Sequence, residues 1–291
     1  MDILDRITQA RPTFSKGQKR IADFITSHTD KAAFMTAAKM GATVGVSEST
    51  VVRFAYELGF EGYPELSKSL QQIIKTQLTS VQRISVTRDR IGDGDVLEKV
   101  LSYDMDKIRR TLEETSREDF HAAAQAIAAA RNIYVIGDRS ANALARFIDY
   151  YFSLMFDNVR LLHTSSTSEL YEQMVRVSPD DVLIGISFPR YSTLTVRACR
   201  FAADAGATVV AITDGAGSPL AKLADYILAA RSDMTSFVDA LVAPFSLVNA
   251  LIVAVGLLKE QEVTDTFERL EKIWSEYEVY QGAARPDDNR R

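Results

Sequence analysis

The chain has 291 residues, 46% of them hydrophobic and 25% charged, with a formal net charge of −5. These values describe an ordinary globular protein long enough for two domains, and its single cysteine, Cys199, excludes an internal disulfide. No apolar run reaches the roughly 20 residues a membrane helix needs. The longest, Leu241 to Leu258, is interrupted by Pro244, Ser246, Asn249 and Gly256, and the amino terminus carries Asp2 and Asp5 instead of a signal-peptide core. The expected compartment is the cytoplasm, with no membrane partner.

The charge is unevenly distributed. Residues 1–80 hold ten Lys/Arg against eight Asp/Glu, a balance of +2, whereas the other 211 residues hold twenty-four against thirty-one, a balance of −7. A +2 domain would bind nucleic acid weakly at physiological salt if it acted alone. Two or four copies on one platform would bind far better, so a homodimer or homotetramer is expected.

In chain order, Ser15-Lys-Gly-Gln18 reads as a capping box opening a helix with Ile21, Ala22, Phe24 and Ile25 on its apolar face. A further helix carrying Phe34 and Met35 is expected before the most informative segment, Thr36 to Tyr56. There, Met40, Gly41, Val44, Val46, Val51 and Phe54 fall in register for two helices around a glycine corner. Gly41 permits close approach of the two axes, Gly45 ends the first helix in a left-handed conformation, and Ser47 caps the second. This is the spacing of a helix-turn-helix, whose second helix enters a DNA major groove. With Val46, Val51, Phe54 and Leu58 facing inward, Ser49, Thr50 and Arg53 lie outward near the helix start. Together with Ser47 they are the expected contacts to double-stranded DNA. The alternatives are a helical hairpin with a solvated outer face, or one that binds another protein.

Pro64 opens another helix after a loop holding Gly59 and Gly62, completing an all-helical domain over residues 1–77. Residues 78–95 are polar, with little periodicity, and read as a linker. The domain at 96–281 begins with two helices, Val96–Thr115 and Ser116–Ala130, and then alternates strand with helix. The expected strands are Asn132–Gly137, Val159–His163, Val182–Ser187, Thr208–Thr213 and Tyr226–Ala229, aliphatic on both faces as buried parallel strands are. The helices between them are Ser140–Phe156, Ser166–Val175, Thr193–Ala205 and Pro219–Leu223. Two long helices, Val238–Lys259 and Thr264–Tyr280, follow, and residues 282–291 read as a disordered tail. The fold class is therefore α/β: an all-α helix-turn-helix domain, then a five-stranded parallel sheet in an α/β/α sandwich.

Ligands of open parallel sheets bind where strands hand over to helices. Gly137-Asp-Arg139-Ser140 offers backbone N–H groups, a hydroxyl and a helix start to an anion. Ser187-Phe-Pro-Arg190-Tyr-Ser192-Thr193 adds three hydroxyls and a guanidinium that can clamp a phosphate or a carboxylate. Thr213-Asp-Gly215 and Ser218-Pro-Leu220 read as a turn with a helix start. His163, at the end of the second strand, is either a ligand contact or a structural histidine, and Glu169 reads as the capping partner of Ser166. Cys199 reads as a small packing residue. No spacing of His, Cys, Asp and Glu suggests a metal, and no cofactor is expected.

Ser47-Glu-Ser-Thr-Val-Val-Arg-Phe54 with Leu58-Gly-Phe-Glu-Gly-Tyr63 resembles the N-terminal domain of RpiR-type bacterial transcriptional regulators. The second half, including Ala211-Ile-Thr-Asp214 and Ser218-Pro-Leu-Ala221, resembles the sugar isomerase (SIS) domain of the same regulators. The resemblance spans roughly 1–77 and 96–260. It implies a homo-oligomer whose operator binding is tuned by a sugar phosphate, with Ser140, Ser187 and Ser192 matching hydroxyl residues around the bound phosphate. The SIS pattern Ser-x-Ser-Gly-x-Thr-x-Glu is altered here: Pro189 replaces the second serine, Arg190 the glycine and Leu194 the glutamate. Loss of that carboxylate removes a candidate acid/base group for isomerisation, which favours a sensor with no catalytic residue. A sugar-phosphate isomerase with a helical appendage is the rival.

Overall fold

Polar caps and apolar stripes divide the first hundred residues into helices alone. They are α1 (Ile3–Ala10), α2 (Lys16–Ser27), α3 (Thr29–Ala32), α4 (Ala37–Val44), α5 (Glu48–Glu57), α6 (Tyr63–Gln77) and α7 (Ser80–Ile91). The computed structural model describes residues 3–77, 80–232 and 238–280, so the tail expected at 282–291 lies outside the described residues. The chain forms two units, Met1–Val100 with Met234–Asp239 and Leu101–Asp233 with Ala240–Arg291.

In the first unit the capping box at α2 forms in both directions. Gln18 N donates to Ser15 Oγ at 3.4 Å, and Ser15 N donates to Gln18 Oε1 at 2.8 Å. The core gathers Ile7, Phe14, Ile21, Ile25, Met40, Val51, Phe54, Leu58, Leu66 and Leu70. Phe34 and Met35 are not helical as expected. Helix α3 stops after four residues, and Thr36 caps α4 by accepting from Lys39 N at 3.2 Å; that capping hydroxyl competes with continuation of the preceding helix. Residues 78–95 carry α7, whose Gln and Arg residues favour helix without giving it a clear apolar period.

The second unit begins within α8 (Val96–Glu114) and continues through α9 (Arg117–Ala129) into the sheet. Strands β1 (Ile133–Gly137), β2 (Val159–Leu161), β3 (Val182–Ile186), β4 (Thr208–Thr213) and β5 (Tyr226–Ala229) lie in the order β2-β1-β3-β4-β5, all parallel. One face of the sheet packs α9, α10 (Asn142–Met155) and α13 (Val242–Leu258) against Ile133, Val135, Ile184, Val210 and Leu228. The other packs α11 (Thr167–Met174) and α12 (Thr193–Asp204) against Tyr134, Ile136, Leu183, Val209 and Ala211. Strands β1 and β3 are wholly buried, but the edge strands β2 and β5 are only partly so, a departure from the expected burial on both faces.

Other departures are local. Strand β2 ends at Leu161, leaving His163 in the following loop. Pro219–Leu223 is a run of turns, not a helix; five residues following Gly215 and Gly217 are too few to offset helix nucleation. Helix α13 starts at Val242, later than expected, and α14 (Glu260–Glu276) starts earlier than Thr264, after a 100° bend between the two helices.

Candidate functional site

Helix α4 ends on Gly45, which takes φ 70° and ψ 45°. A left-handed residue costs little without a Cβ. A side chain at Gly41 would put its Cβ 2.7 Å from the carbonyl oxygen of Val46, so the corner closes only over a bare backbone. Arg20 Nη2 from α2 donates to the Gly45 carbonyl at 2.9 Å and pins the corner to the rest of the unit. Ser47 Oγ then accepts from Thr50 N at 3.3 Å and starts α5. The same oxygen lies 2.9 Å from Ser49 Oγ and 2.8 Å from Thr50 Oγ1, so three hydroxyls cluster at the positive end of α5. Val51 and Phe54 are fully buried while Ser47, Ser49 and Arg53 are exposed and Thr50 is half-buried. Arg53 Nε donates to Ser49 O at 3.3 Å, which holds its guanidinium beside the hydroxyl cluster.

In the sheet, the chain leaves β1 for one side and β3 for the other, making the gap between them the switch point where α/β folds bind ligands. Gly137 ends β1; a Cβ there would stand 2.5 Å from the carbonyl oxygen of Ala141. That closeness lets the chain double back through a 3-10 turn, Arg139–Ala141, before α10. Asp138 caps this turn by accepting from Arg139 N at 2.8 Å, and its other oxygen accepts from Ser192 Oγ at 2.8 Å. Ser192 N donates to the buried Ser187 Oγ at 3.0 Å, and Ser192 Oγ caps α12 by accepting from Thr195 N at 3.5 Å. Asp138, Ser187 and Ser192 thus form one network across the switch point. Behind it, Thr213 Oγ1 donates to Ser187 O at 2.8 Å, and Tyr191 Oη donates to Asp214 Oδ1 at 2.7 Å. Burial, together with the charge and hydrogen bond of Asp214, holds the Tyr191 hydroxyl well above the usual tyrosine range.

The helix-turn-helix domain of the rpiR family matches residues 1–77, and the SIS domain matches residues 126–254. The two matches together cover more than half of the chain. The chain belongs to the RpiR family of helix-turn-helix regulators. Among relatives, an uncharacterized HTH-type transcriptional regulator of Caldanaerobacter subterraneus subsp. tengcongensis is 24% identical over 280 residues, covering 94% of this chain and 97% of the relative. Another, YfhH of Escherichia coli, is 27% identical over 235 residues, covering 78% of this chain and 81% of the relative. The sugar isomerase domain of an RpiR transcription factor from Sphaerobacter thermophilus superposes with a TM-score of 0.58 at 26% identity, covering 61% of this chain and 98% of that one. Vibrio vulnificus NanR, complexed with ManNAc-6P, shares the fold with a TM-score of 0.58 at 18% identity, covering 97% of this chain and 100% of NanR.

Within this RpiR-family frame, the sequence-derived residues fall into two groups. Gly137, Ser187 and Ser192 meet at the switch point; Arg139 and Ser140 stand exposed on the 3-10 turn after β1, Arg190 on the loop after β3, and Thr193 at the first position of α12. His163 is exposed in the loop after β2, where its carbonyl accepts from Gln173 Nε2 at 3.4 Å. The expected capping pair Ser166–Glu169 does not form: Ser166 makes no side-chain cap, and Glu169 accepts a short hydrogen bond from Thr164 Oγ1 instead. Cys199 is buried among apolar neighbours, and burial pushes its thiol up to about 12, far from a nucleophile. Leu194, at the altered glutamate position, is half-buried against the apolar cluster beneath α12. Spacing does not single out Asp138, Tyr191 or Asp214. The nearest signal is the identity of Asp138 inside Gly137-Asp-Arg-Ser140, because an acidic residue is out of place in an all-donor anion cradle.

Proposed function

We propose that this RpiR-family protein is a cytoplasmic homodimer or homotetramer that reads double-stranded operator DNA with Ser47, Ser49, Thr50 and Arg53. We further propose that Gly137, Arg139, Ser140, Ser187, Arg190, Ser192 and Thr193, with His163 at the edge, bind a sugar phosphate that changes operator affinity without being converted. The observation that carries the reading is the coupling, in one chain, of an exposed hydroxyl-and-guanidinium helix start to a hydroxyl network at a sheet switch point. Support for a phosphorylated sugar comes from Arg190 and Arg139 flanking that network, and from a protein of the same fold, NanR, being complexed with ManNAc-6P. Support for sensing over catalysis comes from the carboxylates. Asp138 is engaged by Ser192 and Arg139, Asp214 by Tyr191, and Leu194 stands in an apolar setting, so both of these carboxylates are already hydrogen-bonded and the position of the altered glutamate offers none. The ligand must favour one DNA-binding arrangement over another for any response to occur.

The test is fluorescence anisotropy with a duplex from the region upstream of the protein's own gene. Affinity should fall steeply as salt rises, and one of a panel of phosphorylated sugars should shift it. Arg190→Ala should remove the shift and spare DNA binding. A binding curve indifferent to salt would count against the DNA reading, and conversion of a sugar phosphate by the full chain, followed by NMR, would revive the isomerase.

A further inference from the structure

We propose that α8 is a self-pairing helix whose apolar stripe packs antiparallel against α8 of a second copy of this chain. This rests on the homo-oligomeric reading above and names the surface responsible. Leu97, Leu101, Met105, Ile108 and Leu112 recur at steps of four, four, three and four residues. At 3.6 residues per turn they fall within an arc of about 80°. They are 68%, 53%, 65%, 37% and 59% exposed.

The residues that α8 turns toward its own sheet domain are polar. Lys107 and Thr111 are buried. Thr111 Oγ1 accepts from Arg231 N at 2.9 Å, and just past the helix Thr115 Oγ1 donates to Ala229 O at 2.9 Å. A surface helix ordinarily buries its apolar stripe and hydrates its hydroxyls. Helix α8 does the reverse, as a helix does when a second apolar surface covers it.

The order of residues selects the occupant and its direction. Reversed about the point between Asp104 and Met105, Leu97 exchanges with Leu112 and Leu101 with Ile108. An antiparallel copy therefore offers the same stripe back, the condition for a self-complementary twofold contact. Glu98 and Arg109 lie on the same flank of that stripe. The reversal brings Glu98 of one copy to within about 3 Å along the axis of Arg109 of the other, and both ends of the pair form the same contact. Parallel pairing would instead set these two flanks on opposite sides of the seam, and Glu98 and Arg109 would not meet. Helix α8 also carries the chain from the first unit into the second, so pairing there would tie two DNA-reading units into one assembly.

The experiment is sedimentation equilibrium on the full chain, paired with thiol cross-linking. The wild type should be dimeric or larger, and Leu101→Glu/Met105→Glu should lower its association state by one pairing step at unchanged far-UV helicity. Met105→Cys should cross-link to itself through a short bismaleimide, with the buried Cys199 as an inert internal control. Leu97→Cys should cross-link to Leu112→Cys in a mixed sample, and not to itself. Glu98→Arg should raise the dissociation constant about tenfold, and Glu98→Arg/Arg109→Glu should restore it. An oligomer that ignores these substitutions and fails to cross-link overturns α8 as the interface while leaving the oligomer intact. Self-cross-linking at position 97 overturns the antiparallel arrangement, and a wild type that is monomeric at every concentration overturns both readings.

Discussion

In the first unit, the hydroxyls of Ser47, Ser49 and Thr50 and the Arg53 guanidinium come from seven consecutive residues on one helix start. In the second, the comparable groups are drawn from two loops, and the bond joining them, Ser192 Oγ to Asp138, spans 54 positions of sequence. The local assembly depends on a single corner, which any added atom can spoil. The distant one depends on a sheet that sets its loops side by side, and can lose one hydrogen bond while keeping its frame.

Gly41→Val should show the first half of that contrast with the largest effect. Its Cβ would meet the backbone oxygen of Val46 at 2.7 Å, and no rotamer relieves a backbone clash. Overpacking of this kind costs about 3 kcal/mol, enough to open residues 3–77 and abolish DNA binding. Calorimetry should lose a transition belonging to the first unit and keep that of the second. Retention of both transitions would mean that the corner is looser than the geometry implies.

Arg53→Ala should be next in size and should leave the fold alone, because its hydrogen bond to Ser49 O lies within one helix turn. Loss of a base-edge contact would cost about 1–3 kcal/mol and relax preference at one base position, whereas loss of a phosphate contact would weaken all sequences alike and lower the salt slope by about one. Anisotropy on a set of single-base operator variants separates the two, and unchanged affinity on every variant removes Arg53 from the interface.

The same contrast explains how far the sequence could be read. Gly41, Gly45, Ser47 and Phe54 each have a partner a few residues away, so their spacing carries the geometry. The strands were legible from their aliphatic runs, with Thr208–Thr213 and Tyr226–Ala229 matching to the residue. Helix α7 was hidden by its polar composition, and Phe34 and Met35 were misplaced because an apolar pair does not reveal that Thr36 has already capped the next helix. Asp138, Tyr191 and Asp214 gain their meaning only when β1, β3 and β4 lie side by side, an arrangement that periodicity does not encode.

The amino-terminal end of the strands, opposite the switch point, provides a pH-dependent reference. Asp181 precedes β3 and is buried. Burial alone would raise its pKa, but the hydrogen bonds from Arg131, Asn132 and the Ser178 N–H outweigh that and hold it at about 2. Because the folded value lies below the usual 3.8, the stabilisation is complete above about pH 4 and fades as pH falls through 2. It amounts to about 2 kcal/mol. Asp181→Asn should lower the second unit's melting temperature at pH 7 and flatten its dependence between pH 5 and 2, with operator affinity at pH 7 unchanged. A pH profile as steep as wild type would place the acid sensitivity in other groups.

Tyr191→Phe should give the smallest effect and the finest distinction. The substitution removes the hydroxyl that donates to Asp214 Oδ1 at 2.7 Å and leaves the ring in place. A neutral donor to a charged acceptor contributes about 1.5–3 kcal/mol at most, less whatever water returns to Asp214. If Tyr191 only braces the turn after β4, the second unit melts slightly lower and the effector response keeps its midpoint. If the pair shapes the ligand site, the released carboxylate repels an anion beside Ser187 and Ser192, and the sugar-phosphate midpoint rises several-fold with operator affinity in the absence of effector unchanged. Asp214→Asn separates charge from hydrogen bonding, because it keeps an acceptor for Tyr191 and removes the repulsion. A midpoint raised in Tyr191→Phe but not in Asp214→Asn would assign the effect to the charge of Asp214, and a wild-type midpoint in both would confine Tyr191 to bracing the turn.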